Sequence, residues 1–380
     1  MAKLGEVCKV SPSTKNIERQ VAWLLNLDMV EQQTGRVIEY KYVGEDDLNG
    51  SIIQFDTENV LYSKLRPNLN KVVLPPKDGF STSELLPLRP DASVLNKDYL
   101  AAFLRSDSFV TWAVSKTAGA KMPRLGTKDL MNAEIPVPSI EQQKKIAEKF
   151  KKLEQLISLR KQQLAKLDEL VKARFVEMFG DCKTNPKNWK TKALEKIANV
   201  GSSKRVFVEE LQDSGIPFYR GTEIGALAEK KAVIPALFIT EGHYKQLCET
   251  IGKPQKGDLL MPSICPDGRI WIVDTDEPFY FKDGRVLWVH LTSANYNSVF
   301  LLYTLKDRIM TDYASIASGT TFAELKIFAL KKCKIFDVPL ELQNQFANFV
   351  ERVDQQKQTV QQSLEKLKLM KKALMQEYFG

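Results

Sequence analysis

The sequence is poor in the residues from which most enzyme active sites are built. Its 380 residues include only two histidines, His243 and His290, and five cysteines that stand far apart. No two cysteines form a C-x-x-C pair, and neither histidine has a metal-ligand neighbour at a usable spacing. The sequence therefore indicates neither a zinc site nor a disulfide framework, and we interpret both histidines as surface or packed polar residues.

Motifs for nucleotide binding and for chemistry on nucleic acids are also missing. The sequence has no G-x-x-x-x-G-K-[ST] loop, no glycine-rich dinucleotide fingerprint and no Asn-Pro-Pro-Tyr-like motif for amino-methyl transfer. Glu324 and Lys326 form an E-x-K pair, but the acidic-proline pair that precedes it in nucleases is absent. We therefore expect a chain that is not an enzyme.

Long apolar runs are absent as well. No stretch approaches the roughly 20 apolar residues of a membrane span, and the first ten residues lack the apolar run of a signal peptide. We expect a cytoplasmic chain with reduced thiols and no membrane partner. The formal charge is +8. Residues 1–138 and 193–338 are each neutral, and the excess lies mainly in 139–178 (+4) and 179–192 (+3).

What the sequence does contain is an internal repeat. It ends in EYFG at Glu377–Gly380, and EMFG stands 200 residues earlier at Glu177–Gly180. The same shift aligns 141–179 with 341–379, and 115–130 with 315–330. Similar shifts in separate regions predict a duplication, in which a globular block and a long helix each occur twice.

Apolar residues recur every seven positions in both predicted helices, which is typical of a left-handed coiled coil. A helix of about 40 residues would be about 60 Å long. A long core helix in an ordinary domain is the alternative interpretation of this pattern. The predicted seam consists of Phe150, Ile157, Leu164, Val171 and Met178 in the first helix and Phe346, Val353, Val360, Leu367 and Leu374 in the second.

The fold class that follows is α/β, with mixed α+β globular blocks and two long helices that pair antiparallel. If they pair in this way, the blocks lie at opposite ends and are related by a pseudo-twofold axis. The helices would then act as a ruler between two similar DNA-binding modules. The predicted segments are 1–138 (first block), 139–180 (central helix), 181–192 (linker), 193–338 (second block) and 339–380 (C-terminal helix).

Polar turns between short strands provide candidate DNA contacts, because Arg, Lys, Asn, Ser and Thr bind phosphates and base edges. Taken alone, each cluster is more often just a solvated loop, and it is the recurrence at equivalent places in both copies that favours the functional interpretation. In the first block the candidates are Lys64, Arg66, Asn68, Asn70, Lys71, Lys121, Arg124 and Lys128. In the second block they are Ser203, Lys204, Arg205, Arg220, Thr222, Arg269, Thr320, Thr321 and Lys326.

The chain resembles the DNA-specificity (S) subunits of type I restriction–modification systems. The resemblance covers essentially the whole sequence, and rests on an ordered set of motifs together with the repeat. These motifs are WLLNLDMVEQQTGRV (23–37), VLYSKLRPNLNKV (60–72), STSELLPL (81–88), GAKMPRLGTKDL (119–130), IPVPSIEQQKKIAEKF (135–150) and FVEMFGD with NPKNW (175–189).

The resemblance implies that each block is a target-recognition domain for one half of a split DNA sequence. It also implies that the helices set the gap between the halves and bind two methyltransferase (M) subunits, with two restriction (R) subunits added. S-adenosylmethionine, ATP and magnesium would then bind to those partners and not to this chain. The second copy departs from the family pattern, because Ser263 and Cys265 replace Lys64 and Arg66.

Two other functions stay open at the level of sequence. A chain that modifies DNA by itself would need cofactor or metal motifs, which we do not find. A coiled-coil protein without a nucleic-acid role would need no basic loops. Neither the DNA target nor the spacing of its halves follows from the sequence.

Overall fold

A computed structural model describes residues 1–16, 21–48, 51–119, 121–319 and 323–380. The chain divides into two compact units. Unit 1 comprises 1–163 and 359–380, and unit 2 comprises 164–358. Each unit therefore contains one globular block together with part of each long helix, so that the division falls inside the two predicted helical segments, 139–180 and 339–380.

The globular part of unit 1 begins with short strands and ends where the first long helix starts. Its strands are β1 (Ala2–Lys3), β2 (Cys8–Val10), β3 (Ala22–Leu25), β4 (Lys41–Val43), β5 (Ile52–Phe55), β6 (Val60–Ser63), β7 (Val72–Val73), β8 (Gly79–Thr82), β9 (Leu85–Pro90), β10 (Thr117–Ala118), β11 (Arg124–Leu125) and β12 (Glu134–Ile135). Its helices are α1 (Leu4–Val7), α2 (Lys97–Leu104), α3 (Asp107–Ser115), α4 (Thr127–Met131) and the first part of α5 (Ile140–Phe179).

Unit 2 repeats this order with local changes. Its strands are β13 (Thr191–Ala193), β14 (Ala198–Gly201), β15 (Ile216–Tyr219), β16 (Phe238–Ile239), β17 (Leu259–Pro262), β18 (Trp271–Ile272), β19 (Tyr280–Phe281), β20 (Val286–Leu291), β21 (Ala317–Ser318), β22 (Glu324–Leu325) and β23 (Lys334–Phe336). Its helices are α6 (Gly221–Ala228), α7 (Glu241–Ile251), α8 (Ser298–Ile316), α9 (Ile327–Lys331) and the first part of α10 (Leu340–Phe379).

The two blocks share one sheet topology. In unit 1 the antiparallel order is β2-β9-β6-β7, and a second sheet runs β4-β3-β8-β5 with β3 and β8 parallel. In unit 2 the corresponding orders are β14-β20-β17-β18 and β16-β15-β19, with β15 and β19 parallel. The predicted mixed α/β repeat is thus present as a tandem fold.

One helical stretch of the first block is interrupted. The sequence 97–114 forms α2 and α3, because Ser106 leaves the helix and caps the next one by accepting a hydrogen bond from Phe109 N at 3.2 Å. In the second block α8 stays a single element, although Asp312 has non-helical dihedral angles inside it.

Both long helices comprise 40 residues, and their halves run antiparallel within each unit. In unit 1, Phe150 of α5 stacks on Phe379 of α10 with ring centroids 5.8 Å apart. A capping box begins α5, where Gln142 N donates to Ser139 Oγ at 3.3 Å and Ser139 N donates to Gln142 Oε1 at 3.2 Å. Gly180 follows α5 with a positive φ of 85°, the conformation that favours glycine after a helix.

In unit 2 the same arrangement recurs with different aromatic residues. Phe346 of α10 meets Phe175 and Phe179 of α5 edge to face, at centroid distances of 5.4 and 5.5 Å. All ten predicted seam residues are buried or half-buried, and Leu153, Phe175, Phe179, Val350, Leu364 and Met375 are buried beside them.

A buried glutamine joins each long helix to its globular block. In unit 1, Gln143 Oε1 accepts from Asn96 N at 2.8 Å, and its Nε2 donates to the carbonyl oxygens of Val94 and Pro138 at 2.9 and 2.8 Å. The amide is completely inaccessible to solvent. Because Asn96 in turn caps α2, this one side chain fixes the start of two helices relative to each other.

The second unit contains the same clamp. Gln343 Oε1 accepts from Asn297 N at 2.9 Å, and its Nε2 donates to the carbonyl oxygens of Asn295 and Val338 at 3.0 and 2.9 Å. Gln343 is also fully buried, and Asn297 caps α8. A three-bond polar clamp in the same place in both copies is a physical trace of the duplication.

None of the helices in the described ranges is both long enough and apolar enough to cross a lipid bilayer.

Candidate nucleic-acid interface

The connection between β6 and β7 in the first block is held by backbone hydrogen bonds to two other segments. Lys64 N donates to Glu84 O at 3.1 Å, and Leu125 N donates to Lys64 O at 2.9 Å. Arg66 N donates to Pro123 O at 2.8 Å. The two basic segments that the sequence singled out, SKLRPNLNK and GAKMPRLGTK, are therefore neighbours in the fold.

Arg66 has an unusual backbone conformation. Its φ and ψ of 50° and 65° lie in the left-handed region, which a residue with a Cβ adopts only at a cost. Pro67–Leu69 then forms one 3-10 turn, and the arginine side chain is exposed. Strained residues that the surrounding structure holds in place cluster at functional sites, so the backbone favours a role for this side chain.

Four exposed cations and one amide surround this connection. Arg66 and Asn68 belong to it, and Lys121, Arg124 and Lys128 come from the segment bonded to it, while Lys64 is half-buried. Guanidinium, ammonium and amide groups at one site can donate hydrogen bonds to phosphate oxygens or to base edges. The arrangement thus provides donors suited to a nucleic acid.

Two of the candidates in this block make hydrogen bonds within the fold. Asn70 is buried, and its Nδ2 donates to Arg105 O at 3.1 Å. Lys71 is half-buried and donates to Leu27 O; burial lowers the pKa of its ammonium, although Asp28 opposes this effect. Both side chains stabilise the turn from within, so we leave them out of the contact set.

The equivalent connection in the second block has two of the three backbone bonds and different side chains. Ser263 N donates to Arg285 O at 2.9 Å, and Leu325 N donates to Ser263 O at 2.7 Å. Ser263 and Cys265 are both buried, and burial raises the pKa of the Cys265 thiol to about 12. Tyr313 braces this connection, because its hydroxyl accepts from Cys265 N at 3.3 Å.

The GSSKR turn presents two exposed cations on a fixed backbone. Ser203 is half-buried and its Oγ donates to Phe281 O at 2.6 Å, so this hydroxyl has a structural role. Lys204 and Arg205 are exposed. Arg205 Nε lies 3.5 Å from a carboxylate oxygen of Asp283, an exposed pairing that leaves other guanidinium donors available.

Arg220 and Thr222 both contact the carboxylate of Glu223. Arg220 Nη2 and Nε lie 2.6 and 3.1 Å from the two carboxylate oxygens, and Thr222 Oγ1 donates at 2.9 Å. Burial raises the pKa of Glu223, but hydrogen bonds from these two residues outweigh it and bring the pKa down to about 2. A DNA phosphate would have to compete with this carboxylate for Arg220.

The remaining candidates of the second block differ in placement. Arg269 is half-buried and its Nε lies 2.8 Å from Asp267 Oδ2, whereas Lys326 lies 3.7 Å from Glu324. Thr320 and Thr321 fall outside the described residues.

Sequence analysis missed residues whose importance depends on contacts between distant segments. Gln33, with a positive φ of 63°, donates from Nε2 to Asn68 O at 3.0 Å and from N to Leu69 O at 3.1 Å. Arg285 lies beside the second-block connection and pairs with Glu324. A comparison of the two copies strand by strand could have found Arg285, but no local motif marks either residue. Among the residues that the structure describes, no three His, Cys, Asp or Glu side chains form a group able to hold a metal ion.

Comparisons with known proteins match nearly the whole chain to one family. The family model described as the type I restriction modification DNA specificity domain matches residues 2–169 and again 186–369. The EcoDI type I restriction enzyme specificity subunit of Escherichia coli is 27% identical over 124 residues, which are 33% of this chain and 27% of that protein. The MjaVIII specificity subunit of Methanocaldococcus jannaschii is 23% identical over 323 residues, 79% of this chain and 73% of that protein. The chain thus spans about a quarter of the length of the first relative and about three quarters of the second.

Solved structures show the same fold. The S subunit of a type I restriction–modification system from M. genitalium has a TM-score of 0.60 at 14% identity, and the match covers 100% of this chain and 95% of that one. A chain from a structural study of assembly and conformational transition in a type I system has a TM-score of 0.62 at 18% identity, and the match covers 100% of this chain and 96% of that one.

Proposed function

The chain belongs to the type I restriction modification DNA specificity family, and on that premise we propose that each globular block binds one half of a bipartite DNA target. In this proposal Arg66, Asn68, Lys121, Arg124 and Lys128 contact DNA from the first block. Lys204, Arg205, Arg220, Arg269 and Lys326 do so from the second.

One observation carries the proposal: the two blocks keep two of the backbone hydrogen bonds that hold this loop while its side chains differ. Lys64 and Arg66 of the first copy correspond to Ser263 and Cys265 of the second, and the second pair is buried. A common backbone with different side chains suits two binding modules for unlike base sequences. Phosphate contacts would position each module, and a few side chains would select the bases.

The partners that we propose are double-stranded DNA, two methyltransferase subunits and two restriction subunits. The assembled complex would methylate adenine with S-adenosylmethionine and would cleave DNA with ATP and magnesium, all bound by the partner subunits. This chain would contribute target selection, and its helices would set the distance between the two halves of the target.

Exposed apolar side chains on the long helices support docking of another helical protein. In unit 1, Leu159 on α5 and Leu369 on α10 are 57% and 67% exposed, beside Leu156 and Met370. Apolar side chains of this size on a helix surface are typical of a contact with a further helix. We propose that these residues contact the methyltransferase subunits.

The decisive experiment uses the full chain co-expressed with the methyltransferase subunits of its own system. Methylation of genomic DNA is mapped with the wild-type chain, with Arg66→Ala and with Lys9→Ala. Lys9 is an exposed cation of β2, which pairs with the end of β9 far from Glu84. Arg66→Ala should weaken or relax one half of the target, by about 1–3 kcal/mol if the side chain contacts guanine.

The Lys9→Ala control should keep the wild-type methylation pattern. A pattern that Arg66→Ala leaves unchanged would count against a contact by Arg66, and a wild-type chain that directs no methylation would count against the proposed function. In the same cells, Leu159→Glu with Leu369→Glu should reduce co-purification of the methyltransferase subunit, and intact co-purification would contradict the proposed docking surface.

A further inference from the structure

An ion pair in the first block ties the basic loop to the strand turn behind it. Arg124 opens β11 and Glu84 lies in the turn between β8 and β9, and Arg124 Nε donates to Glu84 Oε1 at 3.1 Å. The guanidinium-bearing side chain is 47% exposed and the carboxylate 25% exposed. Both residues flank Lys64, which bonds to the backbone of Glu84 and of Leu125, the residue after Arg124.

The second block has an ion pair at the corresponding place. Arg285 lies in the turn between β19 and β20, Glu324 opens β22, and Arg285 Nη1 donates to Glu324 Oε1. Ser263 bonds to the backbone of Arg285 and to Leu325, the residue after Glu324.

These backbone bonds establish which residues correspond. The backbone carbonyls of Glu84 and Arg285 each accept a hydrogen bond from the first residue after β6 or β17, which is Lys64 or Ser263. Arg124 and Glu324 each stand one position before a leucine whose N–H donates to the carbonyl oxygen of that same first residue. Arg285 therefore occupies the place of Glu84, and Glu324 occupies the place of Arg124. The two blocks contain the same ion pair with its charges exchanged.

The exchange keeps one arginine beside the loop in the block where Lys64 and Arg66 have no cationic counterparts. At the positions of Lys64 and Arg66 the second block has a buried serine and a buried cysteine. Arg285 is 56% exposed. A guanidinium has five N–H donors, and its pairing with Glu324 uses one nitrogen, Nη1, so donors remain for a second acceptor.

We propose that Arg285 is a DNA-contacting residue of the second block and that its guanidinium takes over the role of the Arg124 guanidinium in the first, from the other side of the ion pair. Glu324 and Glu84 are positioning residues, which hold the guanidinium beside the loop by the ion pair. This inference rests on the proposed function and adds a contact residue to it. It explains how a module without counterparts of Lys64 and Arg66 keeps a guanidinium beside the same part of the loop.

The test uses the full chain with its methyltransferase subunits and a duplex recovered from a random-sequence library by the wild-type complex. Arg285→Gln is compared with Lys196→Gln, since Lys196 is an exposed cation near the start of β14, which pairs with the opposite end of β20. Arg285→Gln should weaken binding about tenfold or more, and Lys196→Gln should bind as the wild type does. A phosphate contact would also lower the slope of log affinity against log salt by about 1.

If the wild-type complex binds the duplex and Arg285→Gln binds it equally well, the assignment of Arg285 is overturned while the proposed function stands. A wild-type complex that retains no duplex from the library would overturn the proposed function, and this inference with it.

A charge-exchange series separates a DNA contact from a purely structural ion pair. Arg285→Glu combined with Glu324→Arg recreates the arrangement of the first block and should restore most of the binding that Arg285→Glu alone loses. Arg285→Gln should unfold thermally within a few degrees of the wild type, because exposed ion pairs stabilise proteins little. Loss of binding only in variants that also lose their thermal transition would overturn the proposal.

Discussion

Phe150 stacks on Phe379 in unit 1 with an interplanar angle of 20°, so the start of one long helix packs against the end of the other. Phe379 also meets Tyr99 and Phe103 of α2 at centroid distances of 5.3 and 5.7 Å. The helix pair and the globular block therefore share one core in this unit.

This shared core makes Phe379 important for stability. Phe379→Ala should lower the free energy of unfolding by about 3–5 kcal/mol, because a buried ring is replaced by a cavity. Chemical denaturation followed by far-UV circular dichroism measures the change. Leu369→Ala, at an exposed position of the same helix, should change the free energy of unfolding by less than about 0.5 kcal/mol. Equal losses of stability in both variants would contradict the packing of Phe379 in the shared core.

The glutamine clamp predicts a second stability effect. Gln143→Ala leaves one backbone N–H and two carbonyl groups without their buried partner, and should cost about 3 kcal/mol. Gln162→Ala, on the exposed face of α5, is the matched control and should be nearly neutral. Similar unfolding midpoints for the two variants would show that the clamp contributes nothing.

The backbone of Arg66 predicts opposite effects on stability and on DNA binding. Arg66→Gly removes the exposed guanidinium, and glycine adopts the observed φ of 50° without a steric penalty. This variant should be as stable as the wild type or up to about 1 kcal/mol more stable, yet bind DNA more weakly than it. Thermal unfolding and duplex binding at fixed salt measure the two effects, and a variant that loses both together would contradict the prediction.

The acid dependence of unit 2 follows from Glu223. Its pKa is about 2 in the folded chain, below the pKa near 4.3 of a glutamate in an unfolded chain. The ionised carboxylate therefore stabilises the fold fully at pH values above the unfolded-state pKa, and this stabilisation is lost as the pH falls toward 2. Glu223→Gln should therefore be less stable than the wild type at pH 6, and the difference should shrink toward pH 2. Denaturation at a series of pH values tests this, with the exposed Glu249→Gln as the control; a difference that grows on acidification would refute it.

The proposed spacing role predicts a change in the DNA target. Insertion of one heptad into the exposed middle of each long helix keeps the apolar seam in register and lengthens each by about 10 Å, which corresponds to about 3 base pairs. Methylation mapping should find the same two half-sites with a longer gap. An unchanged gap, in a chain that still assembles and methylates, would exclude the helices as the determinant of spacing.

The sequence alone determined the features that depend on local periodicity and on self-similarity. Heptads such as Phe150, Ile157 and Leu164 predict a long helix because a helical face repeats at nearly this interval, whatever the rest of the chain does. The tandem repeat and the family resemblance follow from residues that are adjacent or regularly spaced.

Only the tertiary structure decided which polar side chains face solvent and which segments meet. Arg66 and Asn70 stand four positions apart in one loop, yet the first is exposed and the second is buried against Arg105, because strand pairing over long separations orients the loop. The correspondence of Glu84 with Arg285 likewise depends on backbone hydrogen bonds to distant strands. Such contacts carry no local sequence signal, since each partner is chosen by the packing of the whole unit.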